Sequence, residues 1–390
     1  MRFHAALSDD ESTAAAADQV INAAGDALGG RVDLAFIFFT AHHASEADDL
    51  VERLWLELDP QCVVGCSAEG VIGPDREIER APGIALLAGD APGVRAHPFH
   101  VPRDEWRAIL SDDAMLAERL ALGERTRALI GFGDPFSTPI TQWLARLDDR
   151  APGVPLIGGM ASGGRALGEN VLVRNDGTYA DGFVGVSLCD DVDVETVVSQ
   201  GCRPIGRPFV VTRAHDNVIH QLGGRPALAV LHETLESLSP ADERLLRQGL
   251  LIGRAMSEYR DRFGRGDFVV RNVVDIDQDK GALAVGDYVR VGQTIQFHVR
   301  DATTASEDLT QLLDLQKLGD PARGGLLFSC NGRGTKLFDE PCHDITRARR
   351  AMPDTPLAGF FAAGELGPVG GKNIAHGHTA SFALFRPRKS

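Results

Sequence analysis

No apolar run in this chain approaches the ~18 residues needed to cross a bilayer, so the sequence offers no helical membrane span. Positive charge is also in short supply, with 40 Lys+Arg against 55 Asp+Glu and a formal net charge of −15. Such a chain has no broad basic field with which to release counterions from phosphates, which argues against sequence-independent nucleic-acid binding. Cysteine is sparse as well: Cys62, Cys66, Cys189, Cys202, Cys330 and Cys342 are too few and too scattered for a disulfide scaffold. Free thiols in a reducing compartment are expected. The opening residues MRFHAALSDD carry no apolar core or small-residue cleavage site of a secretory signal, so the predicted location is the cytoplasm.

What the chain has in quantity is glycine, 43 residues of 390, and its placement exposes a repeat. The length is about two to three times the ~100–200 residues of one domain, which predicts two domains. Three stretches share one order of elements. The first runs from the buried-strand pattern LAFIFFT (Leu34 to Thr40) through a helix with Leu50, Val51, Leu54, Trp55 and Leu58 at helical spacing, then CVVGCSAEGVIG, then IALLAGD. The second runs ALIGFGD, a helix that Thr138 could cap, PLIGGMASGG, and GFVGVSLCD. The third runs GLLFSCNGRG, a short helix around His343 to Met352, PLAGFFAAGELG, and TASFALF. The turns align without gaps as G-x-x-A-x-G: Gly65, Ala68, Gly70; Gly158, Ala161, Gly163; Gly359, Ala362, Gly364. Glycine directly after a buried strand permits positive φ or the close approach of another backbone, and turns at strand ends are also where sites are commonly built. Between Gly206 and Gly319 the repeat is absent, and alternating stretches such as DFVVRNVVDIDQDKGALAV read as a meander turning at Gln278 to Gly281. Continuous apolar strands need cover on both faces. The predicted fold class is therefore α/β or mixed α+β: two domains, residues 1–222 and 223–390, with mixed β-sheets flanked by helices and an internally repeated β-α-β-turn-β unit.

The segments GCSAEGVIG, VGQTIQFHVRDA, FSCNGRGTKLF and PLAGFFAAGELGPVGG followed by HGHTA, in this order, resemble the FIST family, with a FIST N-like part followed by a FIST C-like part. The resemblance spans nearly the whole chain, from about residue 30 to 385, and implies an intracellular sensory or ligand-binding module for small molecules such as amino acids. No kinase, methyl-accepting or F-box segment accompanies these motifs, which predicts that any signal passes to a separate partner protein.

Polar groups crowd the third repeat: Cys330, Asn331, Arg333 and Gly334 after its first strand, Glu365 in its glycine turn, then Asn373, His376 and His378. Arg333 lies between two glycines, a setting in which a guanidinium fork can reach a carboxylate. With Cys66, Ser67 and Glu69 from the first glycine turn, these residues form the candidate ligand site, for an amino acid or a similar small anion. A competing reading pairs Arg333 with Glu365 to lock two turns together. The chemical alternatives are a protein-interaction scaffold without a small ligand, or a Cys-dependent hydrolase or transferase with Cys330 as nucleophile and His376 or His378 as base. The enzyme is the weaker reading, because a thiol at an apolar strand end is usually inert. No metal is expected, since no paired Cys-x-x-Cys supports one. No cofactor is expected either, because the glycine turns match neither a P-loop nor a dinucleotide fingerprint.

Overall fold

In the computed structural model, residues 1–246, 249–258, 263–264 and 266–388 are described. The fold is mixed α+β, and the chain forms two compact units. Unit one comprises Met1–Val198, Leu309–Ala375 and Thr379–Ser390; unit two comprises Ser199–Asp308 and His376–His378.

Unit one is built from three copies of the motif read from the sequence. Each copy has a parallel pair of buried strands joined by a helix: Leu34–Thr40 with Cys62–Ala68, Thr126–Gly133 with Leu156–Met160, and Gly324–Cys330 with Leu357–Ala362. The joining helices are Ala47–Leu58, Ile140–Arg150 and His343–Ala351. A return strand then pairs antiparallel on the far side of the first: Ile84–Asp90, Phe183–Asp190 and Thr379–Pro387. Thr138 does not cap the second helix as the sequence suggested; its hydroxyl donates to the Gly182 carbonyl at 2.8 Å, so it ties the strand end to the return strand instead.

What the sequence could not show is how the copies interlock. After each glycine turn the chain forms a short hairpin that joins a neighbouring copy's sheet. The first copy's Gly70–Ile72 extends the third sheet, the second copy's Leu172–Arg174 extends the first, and the third copy's Glu365–Val369 extends the second. The exchange is cyclic, and each sheet has six strands.

The repeated glycines, expected in turns just after a buried strand, lie within the second strand of each copy, because each is needed where two backbones press together. Gly65, Gly158 and Gly359 hold one equivalent register, opposite Ile37, Gly131 and Leu327. A Cβ added there would lie 1.9, 1.8 and 1.7 Å from the carbonyl oxygens of those three residues. No side chain fits such a space, so each glycine is required by the close approach of two backbones. One residue further along the first strands stand Phe38, Phe132 and Phe328, with ring centroids 5.2, 6.3 and 5.8 Å apart, and Phe360 packs on all three. This aromatic plug fills the centre of the inner core.

The turns are also bonded to one another in a ring. The Ser162 amide donates to the Ser67 carbonyl at 3.3 Å, and the Ala363 amide to the Met160 carbonyl at 2.9 Å. The third link is indirect: the Glu69 amide donates to the Ser162 hydroxyl at 2.8 Å, and that hydroxyl donates to the Phe361 carbonyl.

Unit two is a closed six-stranded barrel with strand order Cys202–His215, Thr294–Arg300, Leu250–Ala255, Phe268–Asp277, Ala282–Val285 and Val218–Leu222, which pairs back onto the first. The meander and its turn fall where the alternation placed them. Helix Ala227–Glu236 buries Val230 and Leu231 in the same core as Ile252, Phe297 and Val299.

Candidate functional site: a buried polar cluster in the third repeat

Because the three copies share one register, each residue of the third can be compared with its two counterparts. The residue facing the position after the turn glycine is Val71 in one sheet, Leu172 in the next and Glu365 in the last. Val71 and Leu172 are wholly buried apolar side chains, which is the outcome the core favours; Glu365 is equally buried and carries a carboxyl group. By the same register, Cys330 stands where the other copies have Thr40 and Asp134. The third copy has therefore replaced core filling with an ionisable group at the Glu365 position, beside a point that is polar in the other two copies.

Glu365 is held by one side only. Its Oε2 accepts from the Thr379 amide at 3.1 Å and the Thr379 hydroxyl at 2.7 Å, while Oε1 is buried with no partner of good geometry. Burial pushes this carboxyl up to about 8, against the pull of the Thr379 hydrogen bonds, the Arg333 charge and the Cys330 thiol. It thus carries a proton at neutral pH.

Arg333 is fully buried and forks onto Asp344, Nε to Oδ2 at 2.8 Å and Nη2 to Oδ1 at 2.7 Å. Asp344 is fixed further by the Ser329 hydroxyl at 2.6 Å and by His343 Nδ1 at 2.9 Å. Burial opposes the charge on both members; the Arg333 contact holds the Asp344 carboxyl well below the usual carboxylate range, and Asp344 holds the guanidinium above its ordinary value. The Arg333 guanidinium also lies 5.2 Å from the Phe338 ring, which stacks on His343 at 3.5 Å. Its remaining nitrogen, Nη1, is buried without a partner. Glu77 is a half-buried acid nearby, raised by burial of its carboxyl and by the Asp344 charge; its Oε1 accepts from the Ile345 amide at the helix start at 2.9 Å, and its Oε2 has no partner.

The structure thus brings Cys330, Arg333 and Glu365 into one electrostatic cluster, together with Asp344, Thr379 and Ser329. Asn331 caps the strand end by donating its amide to the Ala362 carbonyl at 2.8 Å, and Gly334 has φ +55° with the Glu79 carboxylate pressed against it. Cys66 is buried in the inner core, where its thiol is raised well above the ordinary value, and Ser67 accepts from the Val171 amide at 2.9 Å. Glu69 reaches the loop after Arg333 through an ion pair with Lys336 at 2.8 Å. Asn373 works elsewhere: it accepts from the Leu156 amide at 2.7 Å and donates to Asp148 at 2.8 Å. His376 and His378 belong to unit two, where His378 Nε2 lies 3.0 Å from Asn272 Oδ1. Asp344, Thr379, Ser329 and Glu77 escaped sequence reasoning. Asp344 carries only the ordinary signal of an acid in a helix's first turn, and the others carry none.

The FIST N domain matches residues 33–225 and the FIST C domain residues 227–368. The chain belongs to the FIST family. FIST domains are associated with sensory and signal-transduction roles. An uncharacterized protein of Mycobacterium tuberculosis H37Rv, Rv0628c, is 38% identical over 373 residues, spanning 95% of this chain and 96% of its own. Mb0898c of Mycobacterium bovis, also uncharacterized, is 37% identical over the same length, with 95% of both chains covered. A cyanuric acid hydrolase from A. caulinodans aligns over 99% of this FIST chain at 10% identity, with a TM-score of 0.31 that is too low to assign a fold. Among the described residues of this FIST protein, no helix is long and apolar enough to cross a membrane, and no group of His, Cys, Asp and Glu is arranged to hold a metal ion.

Proposed function

We propose that this FIST protein is a sensory module that binds a small amino-acid-like or other carboxylate ligand at the Arg333–Glu365 cluster and passes the bound state to a separate protein. The observation that carries the reading is the pair of buried polar atoms without a partner, the donor Arg333 Nη1 and the carboxyl oxygen Glu365 Oε1, the latter at a position where the sister copies have the apolar Val71 and Leu172. Leaving a buried polar atom unpaired costs about 1–3 kcal/mol, a cost explained when a ligand supplies the missing hydrogen bonds. An amino acid offers a carboxylate for Arg333 and an ammonium whose charge draws the proton off Glu365 and lets Oε1 accept from it. Cytoplasmic residence is part of the proposal, because it requires thiols to stay reduced, and none of the six cysteines is in a disulfide.

The scaffold alternative is favoured by the aromatic plug, since Phe38, Phe132, Phe328 and Phe360 close the centre of the interlocked copies. Calorimetric titration of the full chain with the common amino acids separates the two. Binding that Glu365→Leu abolishes, in a variant that keeps its fold, supports the sensor. No heat with any amino acid, and none retained in native mass spectra, supports the scaffold.

A further inference from the structure

Cys330 shares the cluster, and its surroundings differ from those of Cys62 and Cys66. Cys62 and Cys66 sit among apolar side chains, where burial pushes their thiols up, Cys62 to about 12. Cys330 instead ends a buried strand and, like Cys189 and Cys202, retains slight exposure, 7%. The Gly332 amide donates to its Sγ at 3.5 Å. The Arg333 charge acts on it, and the Glu365 carboxyl lies against it. A backbone N–H and a guanidinium are the groups that stabilise a thiolate, and a carboxylic acid that keeps its proton near neutrality is a proton donor. The two orphaned atoms, Arg333 Nη1 and Glu365 Oε1, are fully buried members of the same cluster.

We infer that Cys330 is a peroxide-reactive thiol, oxidised to a sulfenic acid by a small hydroperoxide such as hydrogen peroxide. The Cys330 sulfur attacks one peroxide oxygen: an S–O bond forms, the O–O bond breaks, sulfur loses two electrons and the peroxide gains them. The thiol proton is first lost to solvent; the departing hydroxide then takes the Glu365 proton and leaves as water, and Glu365 regains a proton from solvent. The products are Cys330–SOH and one water. The new hydroxyl adds a donor and an acceptor to the cluster, matching the free Glu365 Oε1 and Arg333 Nη1. Enclosure restricts the oxidant to a small molecule. This inference does not require the amino-acid ligand.

The test is trapping of sulfenic acid with dimedone in the full chain, purified without oxygen and exposed to one equivalent of hydrogen peroxide, with each cysteine mapped by mass spectrometry. The expected label falls on Cys330, with the other five cysteines as internal controls. An ordinary thiol is only a few per cent ionised at pH 7, so a stabilised thiolate should react about 10-fold or more faster than glutathione. Glu365→Gln, which cannot donate the proton, should slow labelling of Cys330 by about tenfold or more. Label spread over several cysteines, label concentrated on half-buried Cys342, or a Cys330 rate no faster than glutathione would overturn the inference. A chain that binds an amino acid yet leaves Cys330 unlabelled refutes the peroxide chemistry alone; a labelled Cys330 in a chain that binds no amino acid supports it and counts only against the ligand.

Discussion

Replacing Glu365 by Gln keeps the shape of the side chain and an oxygen for Thr379 to donate to, and removes only the ability to ionise. In the folded chain this acid titrates near 8, against 4.5 for an unperturbed one. Below about pH 4.5 both folded and unfolded chains carry the proton, and between 4.5 and 8 only the folded chain keeps it. Folding then takes up a proton, so stability is greatest below the unfolded value and falls as pH rises through the folded one. The slope from this residue is about 1.4 kcal/mol per pH unit, and by pH 7 the accumulated cost is on the order of 3 kcal/mol. Glutamine carries no such dependence. Urea unfolding of the two proteins from pH 4 to 8 should give similar stabilities at the acid end, with the variant gaining steadily as pH rises. Glu77 contributes a slope of the same sign to both proteins and cancels in the difference. A difference that stays flat across this range, or a variant less stable at pH 7, would show that Glu365 is ionised in the fold and held there by Arg333.

Three further substitutions probe the architecture. Asp344→Asn would leave the Arg333 charge buried without its carboxylate and should cost about 3–5 kcal/mol, measured by denaturant midpoint. Ser162→Ala removes the hydroxyl that closes the ring of turns; leaving the Glu69 amide and Phe361 carbonyl unlinked should cost about 1–3 kcal/mol, and loss of amide-exchange protection should centre on Glu69. Phe360→Ala opens a void in the aromatic plug, with an expected loss of about 3–5 kcal/mol in the same unfolding assay.

By itself, the sequence determined the local units. Runs such as LAFIFFT had to be buried strands because nothing in them tolerates water, and the amphipathic spacing of Leu50, Val51, Leu54 and Leu58 had to form a helix on one face. The recurrence of Gly65, Gly158 and Gly359 announced three equivalent positions, but these lie inside the second strand of each copy rather than in a turn after it, and their common collision with a neighbouring carbonyl is the physical reason glycine stands at each. Arg333 and Glu365 were legible as polar groups at strand ends. Their partners were not, because a short alternating segment such as Glu365–Val369 reads the same whether it pairs at home or in a neighbour's sheet. Only the tertiary structure decided that each hairpin crosses to another copy, and that crossing places Glu365 at the point where Val71 and Leu172 fill the core. Burial, which turns an ordinary glutamate into a neutral acid, is a property of what surrounds the residue, and Glu365 is enclosed by Thr379, Arg333 and Cys330 of its own copy together with the strand at Gly159 of another.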